Sequence, residues 1–319
     1  MNQEEKSLSR RKVMVVGAGS VGATYCYALA QSGLANEIAL YDMNEDLAHG
    51  QVLDLVHGQP FFPPVTIHTG TADDYNDAHV IVITAGAAQK PGETRLQLLK
   101  KNAAIVGSIA EEVAKRNSRG VMLVVSNPVD VLTWVALKRS GWDRRKVIGS
   151  GTVLDSSRFR YLLGQHCGVD VHNVHAYILG EHGDTEFAAW SLTHIAGMKI
   201  DEFCPMCHGC EDWKSKREQI EKQVRESAYH IINYKGSTFF AVGLALVRIT
   251  AAILRNQHSV LTVSTMLNGE YGLNDLCISV PGVVSDEGVK RLLDSQLPKE
   301  EIALLERSAG VLKEAIKSI

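Results

Sequence analysis

The chain has 319 residues, of which 45% are hydrophobic and 22% are charged, and its formal net charge is −3. A chain of this size can form two domains with a filled core. The slightly acidic balance offers no basic surplus for nucleic acid or an anionic membrane. No apolar run reaches the roughly 18 residues that a membrane span requires. The polar N-terminus is followed by no signal-peptide core, and six cysteines favour free thiols in a reducing cytoplasm.

The first half of the chain alternates β-branched runs with helical segments. The nearly continuous apolar composition of the runs is typical of parallel strands that are covered on both faces. Strand–helix–strand units at this spacing predict an α/β fold with a doubly wound parallel sheet of the Rossmann type, over residues 12–150. The predicted strands are 13–19, 37–42, 79–86, 121–128 and 147–151.

The pattern changes in residues 151–319, which predict a second, mixed α/β domain that shapes a substrate pocket. Helical periodicity and strand-like runs both occur in this half. The predicted helices are 156–166, 211–232, 239–256 and 298–318, and two strand-like segments lie between residues 259 and 285.

The segment GAGSVG, residues 17–22, follows the first strand and opens the first helix. A G-x-G-x-x-G pattern by itself is weak evidence, but this context is the one that dinucleotide binding requires. Asp42 ends the second strand, where a carboxylate binds an adenosine ribose and repels a 2′-phosphate, so NAD is favoured over NADP. The candidate cofactor-binding residues are Gly17, Gly19, Val21, Gly22, Asp42, Ala85, Gly86, Ser126 and Asn127.

The segment GEHGDTE, residues 180–186, places His182 close to glycines, so that a ligand could approach the imidazole. A histidine that transfers a proton needs a carboxylate to orient it and stabilise its cation. Asp155 and Arg158 lie three residues apart on one face of a predicted helix. Asp155 is therefore a candidate partner of His182, and Arg158 a candidate clamp for a substrate carboxylate. An ion pair between Asp155 and Arg158 themselves is the alternative interpretation.

Two further candidates follow strands of the parallel sheet, at the carboxyl edge where ligands bind. Arg95 ends the segment AAQKPGETR, whose glycine and proline predict a mobile loop over the substrate. Asn127, in SNP, is placed to hydrogen-bond a substrate or a nicotinamide ribose. Together these residues predict a site with a proton donor, a carboxylate clamp and a mobile cation.

With these motifs in view, the chain resembles the lactate/malate dehydrogenase family, and specifically its L-lactate dehydrogenase branch, over residues 12–319. The resemblance rests on GAGSVG, LYD, TAGAAQKPGETR, SNPVD, GSGTVLDSSRFR, GEHGDTE and KGST. It implies NADH-dependent reduction of pyruvate to (S)-lactate at the end of glycolysis or fermentation, usually by a homotetramer. By the same resemblance His182 exchanges the proton, Asp155 supports it and Arg95 polarises the carbonyl. The implied substrate-binding residues are Gln89, Arg95, Asn127, Arg158 and Thr238, and the bond before Pro128 is expected to be cis.

The resemblance also bears on substrate choice and regulation. Gln89 meets the far end of the substrate, and its neutral amide favours the methyl of pyruvate over the second carboxylate of oxaloacetate. Arg160 and His175 match positions that bind fructose 1,6-bisphosphate in activated bacterial relatives, so this sugar bisphosphate is an expected allosteric activator. A malate dehydrogenase of the same fold and a catalytically inactive relative remain as alternatives.

The segment CPMCHGC, residues 204–210, spaces three cysteines by two residues each, with His208 among them. Thiolates at this spacing can bind zinc. No second C-x-x-C follows, and the segment precedes a charged helix. Reduced surface cysteines are therefore the favoured interpretation, and no metal site is predicted.

Overall fold

A computed structural model describes residues 11–88, 92–116, 118–207, 212–294 and 296–319. The strands are β1 (Lys12–Val16), β2 (Glu37–Tyr41), β3 (Thr66–Thr69), β4 (Val80–Ile83), β5 (Val121–Val124), β6 (Val147–Gly149), β7 (Val174–His175), β8 (Ile178–Leu179), β9 (Phe187–Ala188), β10 (His194–Ile195), β11 (Met198–Lys199), β12 (Ser259–Leu261), β13 (Ser264–Asn268), β14 (Asn274–Ser279), β15 (Gly282–Ser285) and β16 (Gly288–Leu292). The helices are α1 (Ser20–Ser32), α2 (Glu45–His57), α3 (Arg95–Lys115), α4 (Val129–Ser140), α5 (Val153–Cys167), α6 (Ile200–Phe203), α7 (Trp213–Lys235), α8 (Phe240–Leu254) and α9 (Lys299–Lys317).

The largest sheet has eight strands in the order β14-β13-β6-β5-β4-β1-β2-β3. Strands β1 to β6 are parallel, and the strand order reverses between β1 and β4, which places a crevice at their carboxyl ends. This arrangement confirms the predicted α/β class with a Rossmann-type sheet. The hairpin β13–β14 extends the sheet antiparallel from β6, so strands from both halves of the chain share one sheet.

Apolar side chains cover both faces of this sheet, as the continuous apolar strands predict. Val13 and Val15 of β1 point to one face, where Leu29 of α1 and Leu246 of α8 pack. Met14 points to the opposite face, together with side chains of α3 and α4. Helix α8, from the second half, therefore covers part of the first half's sheet.

The second half also holds three smaller sheets. Their strand orders are β11-β10-β7, β12-β15-β16 and β8-β9. Gly180, directly after β8, bridges Ser279 of β14, which ties the His182 segment to the edge of the large sheet. None of the helices in the described ranges combines the length and apolar composition that crossing a membrane requires.

Strand β3 and helix α3 of the first half were missing from the sequence prediction. Strand β3 is short and largely polar, so it lacks the apolar run by which the other parallel strands are recognised. Helix α3 begins at Arg95, which therefore lies on a helix and not within the loop that precedes it. Thr94 and Gln97 form a capping box at its start, a signal that the sequence does contain.

Candidate active site

Asp155 joins the two basic side chains that the sequence singled out. Its Oδ2 lies 2.7 Å from Nδ1 of His182, and its Oδ1 accepts a hydrogen bond of 2.7 Å from Arg158. The two interpretations of Asp155 therefore do not exclude each other, since each carboxylate oxygen has its own partner. The Asp155 side chain is only 1% exposed, whereas that of His182 is 25% exposed, so solutes reach the histidine and not the acid.

Hydrogen bonds to β8 hold the start of α5 in place. The Thr152 hydroxyl donates to the carbonyl of Ile178, and the Ser156 hydroxyl accepts from the Ile178 amide at 2.9 Å. Because β8 ends just before residues 180–186, these bonds bring Asp155 within reach of His182. The N-terminal turn of α5 also favours a negative side chain such as Asp155.

The backbone around His182 is held by two residues that the sequence reasoning missed. Oδ2 of Asp130 accepts the His182 amide at 2.8 Å, and the Ser308 hydroxyl accepts the Glu181 amide at 2.6 Å. Gly180 has a φ of 100°, and a Cβ there would lie 2.8 Å from the Ser308 hydroxyl. Glycine at this position is therefore required by the backbone and by close packing.

The electrostatics of the pair favour a protonated histidine. Burial disfavours the His182 cation, but the charge and hydrogen bond of Asp155 outweigh it and raise the pKa of His182 to about 9. Burial also opposes ionisation of Asp155, yet His182 and Arg158 hold the pKa of its carboxyl below the ordinary value. The imidazolium is therefore the resting form at neutral pH, ready to donate a proton.

Glu186 is a second acid in this cluster. It is buried, and its carboxyl oxygen lies within 4.8 Å of the Asp155 and His182 ligand atoms. Burial, and then repulsion from Asp155, raises its pKa well above the ordinary range, which favours the neutral form of the carboxyl. Three such groups can bind a metal ion, but both oxygens of Asp155 already have partners. The geometry therefore favours proton transfer.

The candidate residues at the carboxyl edge of the sheet are tied together by Asn102 of α3. Its Oδ1 accepts the Ala87 amide at 2.8 Å, and its Nδ2 donates to the carbonyl of Asn127. The side chain is buried and bridges the segments that follow β4 and β5. An amide on an otherwise apolar helix face is the sequence signal for such a bridge. The Asn127–Pro128 bond is cis, as expected.

The remaining predicted substrate residues are Arg95, Thr238 and Gln89, and neither of the first two has a hydrogen bond to His182 among the described residues. Arg95 is exposed and is the first residue of α3. The Tyr229 hydrogen bond to Asp184 and its burial raise the tyrosine's pKa, and the positive charge of Arg95 opposes that rise. The charge of Arg95 thus acts on Tyr229, whose hydroxyl donates to Asp184 of the 180–186 segment. Thr238 is half-buried in the turn between α7 and α8, without a hydrogen bond to His182 among the described residues. Gln89 lies outside the described residues.

The glycine loop has the shape that a dinucleotide requires. A Cβ on Gly22 would lie 1.9 Å from the Gly17 carbonyl, so helix α1 can approach the loop only with glycine there. A Cβ on Gly19 would meet nothing within 4 Å, which leaves space in front of the N-terminus of α1, the preferred position of a pyrophosphate. Asp42 accepts the Ala18 amide at 2.7 Å and so stands beside the loop. These residues fit NAD.

The other predicted cofactor positions lie around this loop and the next two strand ends. Val21 is the second residue of α1, and Ala85 and Gly86 follow β4. The Ser126 hydroxyl donates a hydrogen bond of 2.6 Å to the Ala85 carbonyl. This bond fixes the segment that follows β5 relative to the segment that follows β4.

Arg160 and His175 line a separate cavity of about 510 Å³. Arg248 of α8 also reaches it, and no acid is among the described residues that line it. Its Arg160 Nε is buried without a partner among those residues, although the same guanidinium donates to the Val171 carbonyl. The cavity therefore has a basic lining and, in Arg160 Nε, a hydrogen-bond donor without a partner among the described residues, and both features suit an anionic ligand.

Comparisons with known proteins agree with this geometry. The family model described as lactate/malate dehydrogenase, NAD binding domain matches residues 11–149, and that described as the alpha/beta C-terminal domain matches residues 152–319. The L-lactate dehydrogenase of Treponema denticola is 59% identical over 308 residues, covering 96% of this chain and 97% of the relative. That of Acetivibrio thermocellus is 52% identical over 309 residues, covering 97% of each.

Two solved structures are also similar. A lactate dehydrogenase from a Medee basin deep-sea metagenome library has a TM-score of 0.94 at 41% identity, covering 97% of this chain and 99% of its own. The minor L-lactate dehydrogenase from Enterococcus mundtii, in its ligands-bound form, has a TM-score of 0.94 at 40% identity, covering 98% and 99%.

Proposed function

Because the chain belongs to the lactate/malate dehydrogenase family, we propose that it catalyses the reversible, NADH-dependent reduction of pyruvate to (S)-lactate. The observation that carries the proposal is the His182–Asp155 pair with Arg158 bound to the same carboxylate. A protonated histidine beside a guanidinium matches a substrate that carries a carbonyl next to a carboxylate. The relatives named as L-lactate dehydrogenases support the choice of pyruvate within the family.

Four side chains carry the proposed chemistry. Arg158 binds the substrate carboxylate through its remaining guanidinium donors. His182 donates a proton from its ring to the carbonyl oxygen as the carbonyl carbon is reduced, and takes it back in the reverse direction. Asp155 keeps the ring oriented and stabilises its cation. Arg95 approaches from the start of α3 and polarises the carbonyl.

The glycine loop and Asp42 hold the cofactor. NADH bound there supplies the hydride that reduces the substrate carbon. Gly17, Gly19, Val21 and Gly22 would hold its pyrophosphate, and Asp42 would bind its adenosine ribose. Ala85, Gly86, Ser126 and Asn127 line its path to the substrate, and Thr238 and Asn127 contact the substrate itself. We assign this activity to the cytoplasm, where buried thiols such as Cys26 and Cys277 stay reduced.

Oxidation of NADH, followed at 340 nm, tests the proposal. Pyruvate should give rapid loss of absorbance. Oxaloacetate should give a kcat/KM lower by at least about 100-fold, since its second carboxylate would have no cationic partner at the neutral Gln89. Preference for oxaloacetate would identify a malate dehydrogenase instead. No reaction with either would identify an inactive relative.

We further propose that fructose 1,6-bisphosphate activates a homotetrameric form of the enzyme by binding the cavity of Arg160 and His175. Its basic lining supports an anionic ligand. Leu244 lines the same cavity and neighbouring Phe240 is exposed, so an apolar surface adjoins it that a second subunit could cover. Cationic groups crowded at such an interface repel each other, and a bisphosphate would cancel that repulsion and favour the assembled state.

A further inference from the structure

Asp130 is an acid in the first turn of α4 whose side chain bonds to a different segment of the chain. An acid so close to the start of a helix usually accepts a free amide of that helix. Pro128, at the N-cap of α4, makes no side-chain cap hydrogen bond, so these amides are available. The Asp130 carboxylate instead reaches the His182 segment, where its Oδ2 accepts the His182 amide at 2.8 Å. Capping of α4 therefore does not account for this acid.

The Asp130 carboxylate is almost completely removed from water. The residue is only 2% exposed, and a buried carboxylate needs protein donors in place of the water that it has lost. Burial raises the pKa of Asp130 to about 6, while the Ser264 hydroxyl and the His182 amide limit that rise. The carboxylate is therefore the prevailing form above neutral pH. A bond from an amide to a carboxylate is shorter and stronger than one between neutral groups, so Asp130 holds the His182 backbone firmly.

The bond between Asp130 and His182 joins the two halves of the chain. Asp130 belongs to the first half, which carries the glycine loop, whereas His182 and its partner Asp155 belong to the second half. Asp155 binds the imidazole at Nδ1 and also binds Arg158, so the ring is tied to the candidate substrate clamp of its own half. His182 is therefore bonded to the second half through its ring and to the first half through its backbone.

Asp130 also stands close in the chain to a candidate substrate residue. Asn127 lies three positions before it, and the Asn127 carbonyl accepts a hydrogen bond of 3.3 Å from Asn102 of α3. The four residues from Asn127 to Asp130 are thus fixed at one end to α3 and at the other end to His182. This short segment sets the separation between Asn127 and the backbone of the proton donor.

We propose that Asp130 is a positioning residue that fixes His182 relative to the cofactor loop and to Asn127. The proposal rests on the function proposed above, in which the hydride comes from a cofactor held by the first half and the proton from His182 of the second. Both must reach one carbonyl group, so the two halves need a fixed separation at the site. Asp130 acts through the His182 backbone. Its loss should therefore lower kcat, whereas the KM for pyruvate, which depends on Arg158, should change little.

Variants of Asp130 in the full-length protein separate its hydrogen bond from its charge. Asp130→Ala removes both and should lower kcat by about 10–100-fold, with the KM for pyruvate and the Kd for NADH within about threefold of wild type. Asp130→Asn keeps a carbonyl oxygen for the His182 amide and should restore kcat to within about fivefold of wild type. Thr133→Val is the matched control and should keep the wild-type kcat, because Thr133 is buried in the same helix and its hydroxyl donates to the Val129 carbonyl of that helix.

Amide hydrogen exchange, measured by mass spectrometry on peptides that contain His182, tests the bond without cofactor or substrate. In Asp130→Ala the His182 amide loses its acceptor, so one amide of residues 180–186 should exchange at least about tenfold faster than in wild type. Asp130→Asn and Thr133→Val should keep the wild-type protection of this segment. This readout depends on the hydrogen bond and not on the reaction that the protein catalyses.

Asp130→Glu keeps the test decisive if Asp130→Ala does not fold. The glutamate retains the charge but moves its oxygens by one methylene, so kcat should fall further in Asp130→Glu than in Asp130→Asn. The reverse order would overturn the proposal. So would a wild-type kcat or unchanged exchange in Asp130→Ala, or an equal loss of kcat in Asp130→Ala and Asp130→Asn. Wild type that oxidises NADH with neither pyruvate nor oxaloacetate would contradict the proposed function instead, whatever the exchange measurement shows for the bond.

Discussion

Asp155 Oδ2 lies 2.7 Å from His182 Nδ1, although 27 residues separate the two along the chain. The acid is buried beneath the histidine and carries a second bond to Arg158. One carboxylate therefore orients both the proton donor and the substrate clamp. Replacing it should disturb both functions together, whereas replacing either partner should disturb one.

Loss of the imidazole should abolish proton transfer and spare cofactor binding. We expect His182→Gln to lower kcat by roughly 10²–10⁴-fold or more, with NADH affinity nearly unchanged. Asp155→Asn should lower kcat and raise the KM for pyruvate together. Steady-state kinetics and fluorescence titration with NADH measure these effects, with His172→Gln as a control. Near wild-type turnover in either active-site variant would remove His182 from the proposed role.

The raised pKa of His182 predicts how stability depends on pH. The histidine has a pKa raised from 6.5 to about 9 in the folded protein. Its contribution to the free energy of unfolding is therefore fully present below 6.5 and lost as the pH rises through about 9. The difference in Tm between wild type and His182→Gln should shrink over this range. A difference that stays constant from pH 6.5 to 9.5, roughly the titration window, would contradict the charged pair.

Two glycines of the cofactor loop should respond in opposite ways to the same change. A Cβ on Gly22 would collide with the Gly17 carbonyl, so Gly22→Ala should destabilise the fold by about 1–3 kcal/mol. A Cβ on Gly19 meets no protein atom, so Gly19→Ala should keep the wild-type stability and raise the Kd for NADH by about tenfold or more. Urea unfolding and NADH titration separate the two effects. Unaltered NADH affinity in Gly19→Ala would place the pyrophosphate elsewhere.

Substrate choice should follow the charge at residue 89. Gln89→Arg should shift kcat/KM toward oxaloacetate by several orders of magnitude, since it pairs a carboxylate that would otherwise be buried alone at a cost of several kcal/mol. The ratio of kcat/KM for pyruvate and oxaloacetate is the measurement, and Gln89→Lys tests whether charge without a bidentate fork suffices. An unchanged ratio in Gln89→Arg would mean that this residue does not meet the substrate.

Activation by a sugar bisphosphate should depend on the cavity of Arg160 and His175. Fructose 1,6-bisphosphate at millimolar or lower concentration should lower the KM for pyruvate. Arg160→Gln should remove the response and retain the basal activity. Size measurements with and without the ligand should show assembly in wild type. A pyruvate saturation curve that the bisphosphate leaves unchanged at neutral pH and dilute protein would end this proposal.

The sequence by itself determined the features that depend on neighbours in the chain. The glycine loop between β1 and α1 is one, because Gly22 is required by its close contact with the carbonyl of Gly17 in the same short motif. The placement of Asp155 and Arg158 on one helix face is another, because helical periodicity settles it. The continuous apolar strands likewise predicted a parallel sheet covered on both faces, and helices from both halves of the chain provide that cover.

Tertiary structure alone decided which distant groups surround these features. The His182 amide bonds to Asp130, 52 residues away, and Glu181 bonds to Ser308, 127 residues away. No periodic pattern in the sequence indicates either of these two hydrogen bonds. The burial that raises the pKa of Glu186, and the contact between Cys204 and His166, likewise depend on how helices pack. The sequence suggested that Cys204 lies on the surface, and the structure corrects that expectation. The sequence thus identifies the residues that carry the chemistry. Their pKa values and the hydrogen bonds that position them depend on tertiary packing, because burial by distant segments removes water from around these groups.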